Sequence, residues 1–181
     1  MALSLKFIGT GGAFDFMQGN SAALVEAGGH RILLDCGHSV YPELARRGLL
    51  DWPDYVLLTH LHDDHAGSLS TLLYHRHFFT PTRRLTVLCG HEAFMDEVLA
   101  YLAHPMKAPA RYAQFALAGA ALPGAVQAID TFGAHSEGMQ TFGFVFHDSS
   151  QRLAYSGDLA RPEGFFAALD ALPAPPARVF H

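Results

Sequence analysis

The stretch "DYVLLTHLHDDHAGSL", residues 54 to 69, decides how this chain is read. It opens as a short apolar strand and then sets His60, His62, Asp63, Asp64 and His65 within six positions, before a helical apolar pattern resumes. A solvated loop has no need of so much imidazole and carboxylate, and an apolar core is harmed by it. With 12 histidines and 11 aspartates in 181 residues, the order H-x-H-x-D-H is expected by chance about 0.003 times. Titratable side chains so crowded gain little without a cation among them. Neutral imidazole and carboxylate are the ligands that borderline divalent ions such as zinc accept. The cluster also follows a buried strand and precedes a helix, the place where α/β proteins put ligand sites.

Working outward, residues 3 to 8 read as a strand running into the glycine turn Gly9-Thr10-Gly11-Gly12. The spacing G-T-G-G is not G-x-G-x-x-G, so a dinucleotide fingerprint is absent. "SAALVEA" and "HRILLDCG" flank Gly28-Gly29 as a hairpin. "SVYPELARRGLL" predicts a helix with Pro42 in its first turn and Gly48 as its stop. Beyond the cluster, residues 66 to 79 have helical spacing, 83 to 90 read as a strand and 91 to 104 as a helix. Residues 105 to 128, rich in Ala, Pro and Gly, give the weakest signal and read as a connection with one short element at most. "AVQAIDTFGAH", "TFGFVFHD" and "RLAYSGD" predict three strands over 125 to 157, followed by a helix near Pro162 and a last strand, "ARVFH". Strands alternating with helices, then a run of strands, predict an α/β protein built as an αββα sandwich of two mixed sheets, one domain over residues 1–181.

Composition narrows the partners. Half the residues are hydrophobic, 16% are charged and the net charge is −5. The two lysines and ten arginines form no run, so a grip on long nucleic acid is disfavoured. No stretch of about 18 apolar residues crosses a membrane, and "MALSLKFIGTGG" lacks the plan of a signal peptide; the expected setting is cytoplasmic. Cys36 and Cys89 read as small buried thiols.

A cluster of four ligands is too small for two ions, and further ligands are expected at the ends of other strands. "FGAHS" offers His135 and "AYSGDL" offers Asp158. Alone, the first reads as an ordinary histidine and the second as a turn or helix-cap residue. The order of segments changes this. "KFIGTGGA" (6–13), "ILLDCG" (32–37), "LLTHLHDDHAGSL" (57–69), "FGAHS" (132–136) and "YSGDL" (155–159) together resemble the metallo-β-lactamase-fold hydrolases, and among them the ribonuclease Z-like phosphodiesterase branch.

That resemblance implies two divalent ions, zinc before manganese or iron. His60, His62 and His135 would hold one, Asp64 and His65 the other, with Asp158 bridging them. Asp35 would orient the histidine loop. The implied activity is hydrolysis of a small or cyclic nucleotide-like phosphodiester by a hydroxide raised between the ions, with Asp64 orienting it and His181 protonating the leaving oxygen.

Three departures temper the transfer. His38 stands where the nuclease branch has a glutamate, and only 22 residues separate His135 from Asp158, too few for the arm of transfer-RNA processing enzymes. If His181 is the proton-donating histidine, the second ion is one ligand short and the chain reads as truncated; otherwise His181 is itself that ligand, or a terminus without a role. Hydrolysis of a thioester, lactone or β-lactam on the same centre, and a non-catalytic metal-binding module, stay open beside the phosphodiesterase. The expected partner is a small-molecule substrate; oligomeric state, a homodimer included, is open.

Overall fold

A computed structural model describes residues 2–181. Its first sheet has six strands in the spatial order β1 (Ser4–Gly9), β2 (Ala22–Ala27), β3 (His30–Leu34), β4 (Tyr55–Leu57), β5 (Thr86–Cys89) and β6 (Gln114–Leu117). The first three pair antiparallel and β3 to β6 run parallel. Ala27 pairs with His30, leaving Gly28 and Gly29 as a two-residue turn with φ +57° and +85°. Two successive left-handed residues are what such a hairpin needs, and glycine supplies them without steric cost. Helices α1 (Val40–Arg46), α2 (Asp63–Ala66), α3 (Leu69–Phe79) and α4 (Glu92–Ala103) connect the parallel strands. Leu44, Leu72, Leu73, Phe94, Val98 and Leu102 bury the helices' apolar sides in the same core as this sheet.

The second sheet has the order β10 (Arg178–Phe180), β9 (Arg152–Tyr155), β8 (Phe142–His147) and β7 (Val126–Asp130). Strand alternation divides β8 between two interiors. Phe142, Phe144 and Phe146 enter the main core between the sheets, whereas Val145 packs with Phe165 and Leu169 of α6 (Glu163–Asp170). Gly143 has no side chain because a Cβ there would strike the Phe165 ring. Helices therefore lie outside both sheets, and the αββα sandwich expected from the sequence is the fold observed.

Three element boundaries differ from the sequence reading, each for a local reason. The strand expected over 125 to 135 stops at Asp130, because Asp130 Oδ1 accepts from Phe132 N at 2.9 Å and turns the chain out of the ladder. The helix expected from Ala66 is broken into α2 and α3 at Gly67-Ser68. There Ser68 N donates to Cys36 O at 3.0 Å and Ser68 Oγ to Gly37 O at 2.6 Å, which ties the break to the turn after β3. Residues 105 to 128 hold more than one short element: a 3-10 turn at Pro109–Arg111, the edge strand β6, and α5 (Ala118–Ala121). Among the described residues no helix is long and apolar enough to cross a membrane.

Candidate metal centre

The residues singled out by the sequence sit on loops at the carboxyl ends of strands. Asp35 follows β3, His60 follows β4, Asp158 follows β9 and His181 follows β10, while His135 lies in the loop between β7 and β8. His62 is the N-cap of α2, with extended φ −64° and ψ 149°, and one turn of helix then carries Asp64 and His65. Gly157, at φ +67°, lets the Asp158 loop press against Thr59, where a Cβ would meet the Thr59 side chain at 3.2 Å.

Two groups of ligand atoms converge. In His60, His62 and His135, one nitrogen per ring lies within 4.8 Å of the others, and one nitrogen each of His60 and His65 lies as close to a carboxylate oxygen of Asp158. His62 Nδ1 is 3.1 Å from His60 Nε2 and 3.0 Å from His135 Nε2. His65 Nε2 is 3.3 Å from Asp158 Oδ2 and 3.5 Å from Asp64 Oδ2. Asp64 thus joins through His65, and His181 belongs to neither group. His181 shares a cleft with Asp158 instead and pairs its Nδ1 with Ser156 Oγ at 2.8 Å.

Behind these groups stands a buried brace that decides which nitrogens face inward. Asp35, fully buried and in the left-handed region at φ +61°, accepts from Thr59 N, Thr59 Oγ1 and His65 Nδ1, each at 2.8 Å. Its bond to His65 leaves Nε2 for the centre. Thr59 Oγ1 has given its proton to Asp35, so it accepts from His60 Nδ1 at 3.0 Å and leaves His60 Nε2 as the bare nitrogen. The orienting role implied for Asp35 is thus matched by geometry. Thr59, which sequence reasoning passed over, extends it to the second histidine; its only signal was adjacency to the cluster.

Electrostatics fit a cation. Burial first, and the charge on His65 second, push His60 down to about 3, so its imidazole is neutral. A hydrogen bond to His65 lowers Asp64 to about 2 and also lowers Asp158, against the opposing effect of burial. Burial disfavours charge on His65, but the carboxylates of Asp35, Asp158 and Asp64 outweigh it and hold the ring protonated. Three carboxylates thus share one imidazolium. On the other side, whichever tautomer His62 takes, its one Nδ1 position cannot satisfy both His60 Nε2 and His135 Nε2. Neutral nitrogens on one side and carboxylate oxygens on the other form a donor set suited to divalent ions.

Other histidines have ordinary work. His91 caps α4, its Nδ1 accepting from Phe94 N at 3.1 Å. His75 bonds Tyr41 Oη at 3.2 Å, and His147 accepts from Arg152 Nε at 3.1 Å. His38, in place of the expected glutamate, is exposed and lies 3.7 Å from Asp63.

The fold has solved counterparts. The metallo-β-lactamase-fold protein YhfI from Bacillus subtilis aligns with a TM-score of 0.65 at 19% identity, covering 85% of this chain and 61% of its own. The short form of human tRNase Z aligns with a TM-score of 0.63 at 19% identity, covering 92% and 74%. A curated anti-Pycsar protein Apyc1 from Bacillus phage 010DV004 is 41% identical over 88 residues, 48% of this chain. That match spans 34%, about a third, of the phage protein's length. A family model described as anti-Pycsar protein Apyc1 matches residues 3–171. With the metallo-β-lactamase fold in place and nearly the whole sequence matched, the chain belongs to the anti-Pycsar protein Apyc1 family.

Proposed function

We propose that this chain is a metal-dependent phosphodiesterase that hydrolyses a cyclic nucleotide. The carrying observation is the convergence of His60, His62, His135, His65 and Asp158 from three separate loops onto two contiguous groups of ligand atoms. The family description points the same way, toward degradation of cyclic nucleotides, and the acidic net charge of −5 suits a small substrate better than a long polyanion. His60, His62 and His135 would hold one divalent ion, and Asp64 and His65 a second, with Asp158 between them. Zinc fits this donor set before manganese or iron.

When bound, such a pair of ions supplies Lewis acidity and a hydroxide nucleophile near neutral pH. The protein's share is positioning and proton handling. Asp35 and Thr59 lock the tautomers of His65 and His60, so neither ring spends energy turning toward its task. Asp64, ionised and half-held by His65, can orient the attacking oxygen. Ser156 Oγ donates to Gly157 O at 2.7 Å, so it accepts from His181 Nδ1 at 2.8 Å. Nε2 is left as the free nitrogen of that ring, and as an imidazolium it can protonate the leaving oxygen.

Purified protein, stripped of metal and reloaded with zinc or manganese, should open nucleoside 3′,5′-cyclic monophosphates and cleave bis(p-nitrophenyl) phosphate. A chromogenic β-lactam and a thioester complete the panel. Turnover of either of these two without phosphodiester turnover would replace the proposal, and tight metal binding with no turnover would leave a binding module.

A further inference from the structure

Apolar spacing runs through residues 66 to 79 as one helix, yet the chain breaks between α2 and α3, with Ser68 at φ −108° and ψ 8°. An unbroken helix would pair Ser68 N with Asp64 O and Leu69 N with His65 O, each four residues back. One group of each pairing goes instead to Cys36, in the turn after β3. Cys36 N donates to His65 O at 2.7 Å, and Cys36 O accepts from Ser68 N at 3.0 Å. The Asp64 carbonyl is turned onto Gly37, where any Cβ would overlap its oxygen. Ser68 Oγ completes the junction. It donates to Gly37 O at 2.6 Å and accepts from Tyr41 N, in the first turn of α1, at 3.2 Å. Ser68 is buried, so water does not stand in for a lost partner.

We propose that Ser68 is a positioning residue for the half of the centre built on Asp64 and His65, acting through the helix break that it holds open. This rests on the metal centre of the function proposed above. Asp35 and Cys36 are consecutive in the chain, and both grip His65. Asp35 Oδ2 accepts from the ring at Nδ1, and Cys36 N donates to the main chain at O. Side chain and backbone of one ligand are thus held by neighbouring residues, which sets both where the ring stands and which way it points. Were the helix continuous, Asp64 O and His65 O would be drawn toward Ser68 N and Leu69 N, and α2 would lift off Gly37. Ser68 prevents this by engaging its N–H with Cys36 and its hydroxyl with Gly37. The other half depends on the break less. His60 and His135 stand on separate loops, and His62 sits at the opposite end of α2 as its N-cap.

The test reads metal binding and not turnover. Calorimetric titration of metal-free protein with zinc separates the two binding steps, and His62→Ala identifies the step that belongs to the three-histidine half. In Ser68→Ala the step on Asp64 and His65 should weaken about threefold to tenfold, the worth of one hydrogen bond, while the other step changes by less than about twofold. Val25→Ala is the control. It truncates a fully buried side chain of β2, outside the break, lowers stability at least as far and should leave both steps unchanged. Circular dichroism checks each fold. Equal weakening of both steps in Ser68→Ala, no weakening, or weakening matched by Val25→Ala overturns the role. A Ser68→Ala chain that fails to fold, or a wild-type chain with a single zinc step, overturns it as well. Selective weakening in a protein that cleaves no phosphodiester keeps the positioning role and discards the phosphodiesterase. Unselective weakening in an active enzyme does the reverse.

Discussion

The two halves of the centre share His60 and solve opposite problems. Around His62, three rings bring nitrogens together with no carboxylate in the group. Around His65, three carboxylates converge on one ring, which stays protonated to answer them. Only the second half has a fully buried carboxylate, Asp35, in direct contact. The first half is braced at one remove, through Thr59 to His60. The difference teaches that a single buried carboxylate can order both halves while neutralising the charge of only one.

The strongest way to break this pairing is to delete a ligand from the half that has no carboxylate. His62→Ala should abolish loading of that half and lower kcat/KM by about 10³-fold, the scale of losing a group that stabilises developing charge. Metal content per chain and steady-state kinetics with bis(p-nitrophenyl) phosphate check it. Activity within tenfold of wild type would mean that the His65 half works alone.

Asp35→Asn attacks the shared brace. An amide keeps the shape but cannot accept from all three donors, so metal affinity should fall about 10–100-fold. Competition with a chromogenic chelator measures this, and circular dichroism reports whether the fold survives. Affinity unchanged at both sites would strip Asp35 of its orienting role.

In metal-free protein the halves pull pH dependence in opposite directions. His60 is held near 3, so between that value and the ordinary 6.5 the unfolded chain binds the extra proton and stability rises with pH. His65 is held far above 6.5, so above that value the folded chain keeps a proton the unfolded chain has lost, and stability declines as pH climbs. Urea midpoints from pH 5 to 9 should therefore peak near 6.5, each limb no steeper than about 1.4 kcal/mol per pH unit for each proton. A curve still rising at pH 9 would contradict the imidazolium at His65.

The smallest effect is expected from Thr59→Val, which keeps volume and loses one hydroxyl. Asp35 would lose one of its donors and His60 its partner, for about 1 kcal/mol of stability and a few-fold of metal affinity. Loss confined to the His60 half would sharpen the division between direct and relayed support.

How much of this was legible depends on distance along the chain. His60, His62, Asp64 and His65 lie within six residues, so local spacing alone announced them. His135 and Asp158 are 70 and more residues away and each has an innocent reading; only the order of segments resembling a known family placed them. Thr59 was invisible because a threonine at a strand end has no distinguishing chemistry until its neighbours are known. The strand β6 was read weakly for a related reason. Four residues, Gln114–Leu117, become a strand through pairing with β5 more than through their own propensity. Gly28-Gly29, in contrast, fixed its hairpin from sequence because a turn is a local event.

One backbone contact carries further than its size suggests. Phe142 N, the first amide of β8, donates to Thr59 O at 2.9 Å, so the layer carrying the phenylalanine row is stitched to the other layer at the residue that steadies His60 and serves Asp35. Sliding of one layer over the other cannot leave that point untouched. Changes deep in the phenylalanine row, remote from the His/Asp cluster, should reach the candidate ligands as loosened geometry before they show as lost secondary structure.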